Sequence, residues 1–173
     1  MTIARPHSLR IEDYALIGDC QSAALVGRDG SIDWLCWPRF DSGACLAAIL
    51  GAPENGRFHI APVADGKSLG PATSRRYAGP TAVLETTWDT DGGTVVVTDF
   101  MVPETTLGTL VRVATCRSGR VDMRMELALR EGLRLVVDCS FIAACSAREV
   151  RSAGLPEDPA AAWRKDQPSH LAR

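Results

Sequence analysis

The sequence predicts a mainly β chain: an antiparallel β-sandwich, incomplete, with a short helix and an irregular C-terminal tail. Three observations carry this. Apolar runs are joined by Asp-Gly and Ser-Gly turns, one segment has a clean period of two, and few stretches have a helical period. The first hairpin pairs residues 23–26 with residues 31–36 across Arg28-Asp29-Gly30-Ser31. Asp-Gly between apolar runs signals a tight turn, because Gly and Asp tolerate the positive φ it needs. In the returning strand Ile32, Trp34 and Cys36 alternate with Ser31, Asp33 and Leu35.

Residues 43–50 read as the short helix, with Asp41 or Ser42 as its cap. Residues 57–60 and 75–78 are short strands, and residues 62–73, with two glycines and two prolines, read as a loop. A second hairpin joins residues 83–88 to residues 94–100 through Asp91-Gly92-Gly93. A third joins residues 110–116 to residues 121–129 through Ser118-Gly119. In residues 121–129 Val121, Met123, Met125, Leu127 and Leu129 alternate with Asp122, Arg124, Glu126 and Ala128, as a half-buried antiparallel strand requires.

The character changes after Arg130. The last 44 residues hold eight Ala, six Arg, four Ser and three Pro, and no period organises their apolar patches. Two regions follow: a β-sandwich domain over 1–129 and a divergent tail over 130–173, frayed or read out of frame.

At 173 residues the chain can bury a core of its own, without metal or disulfides. A formal charge of −2 excludes a polycation for nucleic acid or membrane surfaces. Arginine supplies 17 of the 19 basic residues, which a GC-rich genome explains. The N-terminus has no apolar signal core, and the longest apolar run, residues 44–50, is too short to span a bilayer. A cytoplasmic location is the expectation. The six cysteines form no CxxC and have no histidine at ligand spacing, so they read as reduced, buried thiols, with no metal site.

Motifs for chemistry are sparse. No G-x-S-x-G occurs, and His7 and His170 lie near the termini. His59, flanked by Phe58 and Ile60, reads as a half-exposed structural histidine. Gly66-Lys67-Ser68 lacks the preceding glycine of a phosphate loop, since position 61 is Ala. Glu12, Asp13, Asp19, Asp29, Asp33 and Asp41 are enough carboxylates for an acid–base pair, and a solvated face explains them as well. No cofactor is indicated. Residues 34–42 stand out: Trp34, Trp37, Arg39, Phe40 and Asp41 form either a cap on the core or a surface for a partner domain or a sugar.

At this stretch a family resemblance enters. Residues 11–26 (IEDYALIGDCQSAALV), 28–36 (RDGSIDWLC) and 38–42 (PRFDS) are similar to the trehalase-like N-terminal domain of bacterial glycoside hydrolase family 15 proteins. Arg75-Arg76-Tyr77, Val83-Leu84-Glu85-Thr86, Val97-Thr98-Asp99-Phe100-Met101 and Met123-Arg124-Met125-Glu126-Leu127 extend the resemblance, which covers about residues 8 to 129. It implies a β-sandwich preceding an (α/α)6 barrel that hydrolyses α-glucosidic bonds in trehalose or α-glucans, with two barrel glutamates as acid and base. No barrel pattern occurs in these residues, so no catalytic residue carries over. The expected role is a non-catalytic N-terminal domain, inactive alone, whose partner is the barrel. The alternatives are a stand-alone module for an α-glucan or a partner protein, and one chain of a split glycosidase.

Overall fold

A computed structural model describes residues 9–103, 108–130 and, for the backbone only, 136–144. Its strands are β1 (Tyr14–Gly18), β2 (Ala23–Gly27), β3 (Ser31–Cys36), β4 (Ala44–Leu46), β5 (Arg57–Ala64), β6 (Lys67–Ser68), β7 (Ser74–Tyr77), β8 (Leu84–Thr90), β9 (Gly93–Met101), β10 (Leu110–Ala128) and β11 (Val136–Ala144). They form one antiparallel sheet in the order β1-β2-β3-β5-β10-β9-β8-β7, with β4 on β3, β6 on β5 and β11 on β10. The mainly antiparallel β architecture is the one predicted. Its two layers are halves of a single curled sheet.

The curl brings the ends of the sheet together. On β7, the Tyr77 hydroxyl donates to the Leu16 carbonyl of β1 (2.8 Å) and accepts from the Leu16 N–H (3.1 Å). Arg75 donates to the carbonyls of Asp13 and Val26 at 2.8 and 3.1 Å. Side chains thus satisfy an edge that would otherwise present unpaired backbone groups. A second tie crosses the interior. Arg112 on β10 makes a bidentate pair with Asp99 on β9 and donates to the carbonyls of Phe58 on β5 and Gly30 in the β2–β3 turn.

β10 makes the two layers continuous. Its first half pairs with β9, from Leu110↔Met101 to Gly119↔Gly93. Its second half pairs with β5 on one edge and β11 on the other. Inward side chains fill two clusters. One centres on Ile17, Val26, Ile32, Leu35, Leu84 and Met101, the other on Ile60, Trp88, Val95, Val97, Val121 and Met123.

Several expectations need correction. The third hairpin is one strand: β10 runs through Ser118 and Gly119 with a register shift between Cys116 and Ser118. The positive φ of Gly119 (70°) serves a close backbone approach, since a Cβ there would overlap the Gly92 carbonyl. The helix expected over 43–50 shrinks to a 3-10 turn at Ala48–Leu50. Before it, β4 pairs with β3, and the N–H groups of Ala47 and Ala48 both go to the Gly56 carbonyl, which holds the segment to the sheet. The loop expected over 62–73 is partly ordered as the end of β5 and as β6, which pair across Asp65-Gly66. β1 was not among the strands expected. Within the C-terminal tail, β11 lies antiparallel to β10, while residues 131–135 and 145–173 lie outside the described residues. His7, His170 and Cys145 also fall outside them.

Candidate functional site

The five residues singled out from the sequence separate into three environments. A bulge is the cause. Leu25 pairs with Trp34, but Val26 pairs with Ile32, so Asp33 is the extra residue in β3. An extra residue flips the alternation beyond it. Ile32 and Leu35 therefore both reach the core, and Trp34 stands on the outer face beside Leu25. Trp37 packs against the first core cluster, with its ring over Gly108, where φ is +68° and a Cβ would meet the indole. Arg39, Phe40 and Asp41 form an exposed tip.

The tip is held locally. The Phe40 N–H donates to the Gln21 carbonyl, and the Ser42 hydroxyl accepts from the Arg39 N–H, so Ser42 caps a turn and not a helix. Arg39 Nε lies 3.0 Å from Asp41 Oδ1. The Asp41 carboxyl is held below its usual range, first by that hydrogen bond. Phe40 is 63% exposed between the paired charges. The arrangement offers one aromatic face flanked by a guanidinium and a carboxylate.

A second site escaped the sequence reading. A cleft of about 300 Å3 is lined by Asp29, Arg57, His59, Val63, Ser68, Gly70, Arg124 and Glu126. Glu126 takes Arg57 at 2.5 Å and Arg124 at 3.1 Å through its two oxygens. His59 is buried, not half-exposed, with Nε2 3.1 Å from the Asp29 carbonyl. Burial pushes its pKa down, and the neighbouring Arg57 charge acts in the same direction. The signal was present in the sequence. Arg57 and His59, and Arg124 and Glu126, occupy the polar positions of period-two strands, and cross-strand pairing brings them together.

The early carboxylates are engaged in structure. Asp19 accepts from the N–H groups of Gln21 and Ser22, and Asp29 accepts from that of Ser31. Asp33 is buried rather than on an outer, solvated face, and accepts from the Ser31 and Tyr14 hydroxyls. Burial is the main cause that raises the Tyr14 pKa, and the bond to Asp33 adds to it. Glu12 and Asp13 both face Arg10. Cys20, Cys36, Cys45 and Cys116 are free thiols, and burial raises the pKa of Cys45. Among the described residues no group of three or more His, Cys, Asp or Glu is placed to hold a metal ion, and no helix is long and apolar enough to cross a membrane.

Comparison with known proteins gives a consistent picture. A family model described as trehalase-like, N-terminal, matches residues 3–136. Trehalase of Mycolicibacterium smegmatis is 41% identical over 92 residues, which is 53% of this chain and 13% of that protein. Trehalase of Mycobacterium tuberculosis is 38% identical over 92 residues, with the same two shares. Trehalase of Thermoplasma volcanium is 33% identical over 93 residues, 53% of this chain and 14% of its own length. The aligned stretch is thus about one-seventh or less of each of these relatives. No solved structure matches.

Proposed function

Since the chain belongs to the trehalase-like N-terminal family, we propose that it is the non-catalytic N-terminal domain of a trehalase-type glycosidase. The observation that carries this is the share of the relatives it matches: 13% of the Mycolicibacterium smegmatis trehalase. Most of such an enzyme lies outside the matched region. The structural engagement of Asp19, Asp29, Asp33 and Asp99 supports the reading, because an acid–base pair for glycoside hydrolysis must face the substrate. In finer detail, the parent enzyme is of the glycoside hydrolase family 15 kind. It hydrolyses α-glucosidic bonds in trehalose or α-glucans, and its (α/α)6 barrel meets this domain in the cytoplasm.

The Arg39–Phe40–Asp41 tip is the part of the sequence-expected surface open to a sugar or to the barrel. Its exposed ring between two charges also favours a second reading, a module that binds an α-glucan by itself. The test uses the purified chain. No glucose is released from trehalose or maltooligosaccharides on the first reading, and sustained turnover would overturn it. Saturable binding of maltooligosaccharide, abolished in Phe40→Ala with the fold intact, would transfer the argument to the second.

A further inference from the structure

The cleft over β5 and β10 has no part in the proposed function, yet its polar groups are gathered and held. His59 stands opposite Glu126 across the strand pair, and Arg57 shares that face of β5. The segment carrying Ser68 and Gly70 is fixed beside them. The Leu69 N–H donates to the Pro62 carbonyl, the Ala72 N–H to the Arg28 carbonyl, and Trp88 Nε1 to the Gly70 carbonyl. The cleft is therefore preformed, and its volume of about 300 Å3 is at the small end for ligand pockets.

Its donors and acceptors are mixed. Glu126 receives one guanidinium on each oxygen, and each oxygen keeps a second lone pair. Arg57 gives Nη2 to Glu126, and its Nε and Nη1 are further donors. The Asp29 carbonyl can only accept, so His59 Nε2 carries the hydrogen, and Nδ1 of the neutral ring is an acceptor. Burial favours that neutral ring. Ser68 adds a hydroxyl. The positive charges of Arg57 and Arg124 are balanced by the carboxylates of Glu126 and Asp29.

We propose that this cleft binds a neutral polyol the size of one or two sugar rings, through its hydroxyl groups. Each hydroxyl both donates and accepts, which suits guanidinium donors set beside carboxylate and imidazole acceptors. An anion would bring its charge against Glu126 and Asp29, and a cation would meet two arginines. An apolar ligand would take water from these groups and return no hydrogen bonds. The site shares no residue with the Arg39–Phe40–Asp41 tip and rests on neither reading of the function.

Amide NMR of the full 173-residue chain tests the proposal. Glucose should shift the His59, Ser68 and Glu126 amides saturably, with a Kd of ~1–10 mM. Glucuronate and glucosamine keep the ring but carry a charge of either sign, and should bind at least ~5-fold more weakly. Maltotriose run beside glucose separates a free sugar from the end of a glucan, and saturable shifts at the cleft by either support the site. Glu126→Gln releases both guanidinium groups and should weaken glucose binding by ~10-fold. If that variant fails to fold, Ser68→Ala, which removes one exposed hydroxyl, should weaken binding by ~3-fold or more. Leu50→Ala, outside the cleft, should bind as wild type does. No saturable shift by ~100 mM of either neutral sugar would overturn the proposal. So would charged rings that bind as tightly as glucose, shifts confined to residues 39–42, or a folded cleft variant of wild-type affinity. Binding is read without any measurement of glucose release, so failure here is distinct from failure of the proposed function.

Discussion

Arg112 is the residue whose removal should damage the fold most. Its side chain is 1% exposed, and that of Asp99 is fully buried. The guanidinium makes two bonds to Asp99, at 2.8 and 3.2 Å, and donates to Phe58 O at 2.6 Å and Gly30 O at 2.8 Å. It also lies 4.8 Å from the centre of the Phe58 ring. Arg112→Met keeps most of the volume but leaves the Asp99 carboxylate buried without its cation. Breaking a buried pair this way costs about 3–5 kcal/mol, a large part of the ~5–15 kcal/mol that holds a domain of this size together. Gly30 O keeps the Ile60 N–H, so the loss falls mainly on Asp99 and Phe58 O. Asp99→Leu should cost a similar amount by stranding the guanidinium. The double variant removes both charges and should be less damaging than the sum of the singles. Urea unfolding followed by tryptophan fluorescence measures all four proteins. A cost below about 1 kcal/mol for Arg112→Met, or strict additivity in the cycle, would refute the claim that this pair ties the layers together.

Three further outcomes follow from the same geometry. Burial lowers the His59 pKa below 6.5, so the unfolded chain binds a proton more readily than the folded one. His59 therefore costs no stability above that value and costs progressively more as pH falls below it. His59→Gln should shrink the fall in urea midpoint between about pH 7.5 and about pH 5.5 relative to wild type. Tyr77→Phe removes the hydroxyl that serves both backbone groups of Leu16, and should cost about 0.5–1.5 kcal/mol while speeding hydrogen exchange at the Leu16 amide. Gly30→Ala places a Cβ on the Ile60 carbonyl at φ +87°, and should lower the thermal midpoint by more than Gly66→Ala, where φ is +72° and the space is open.

Local signals in the sequence were sufficient for the β class and for most strands. The Asp29-Gly30 turn and the alternation of residues 121–129 appear in the structure because both depend on near neighbours: a positive φ, and a period of two against a core. The features that escaped depend on distant backbone. Nothing local distinguishes Ser118-Gly119 as a point of close strand approach from Ser118-Gly119 as a hairpin turn, since both use positive φ. The difference lies in Gly92 and Gly93 on the facing strand. The bulge at Asp33 was equally hidden, and it decides the candidate site. Strict alternation puts Trp34 on the face of Ile32, while the bulge puts it outside and leaves Trp37 as the tryptophan of this stretch that packs on the first core cluster. His59 read as half-exposed because the covering turn at Asp29 and the loop at Ser68 come from other parts of the chain.

How the polar groups are used bears on the proposed role. An acid, base or nucleophile has to be held in place while keeping a lone pair or proton free for the substrate. Here Asp99 is bound to Arg112, Asp33 to two hydroxyls, Asp19 to two backbone N–H groups and Glu126 to two guanidinium groups. Each bond fixes a turn, a bulge or the junction of the layers. Among the described residues, Leu16 and Phe40 are large apolar side chains exposed without such a task, as are Ile11, Leu50 and Leu69. Substitutions at the exposed Arg39–Phe40–Asp41 tip should therefore leave the urea midpoint nearly unchanged, whereas substitutions at the buried Arg112 should lower it.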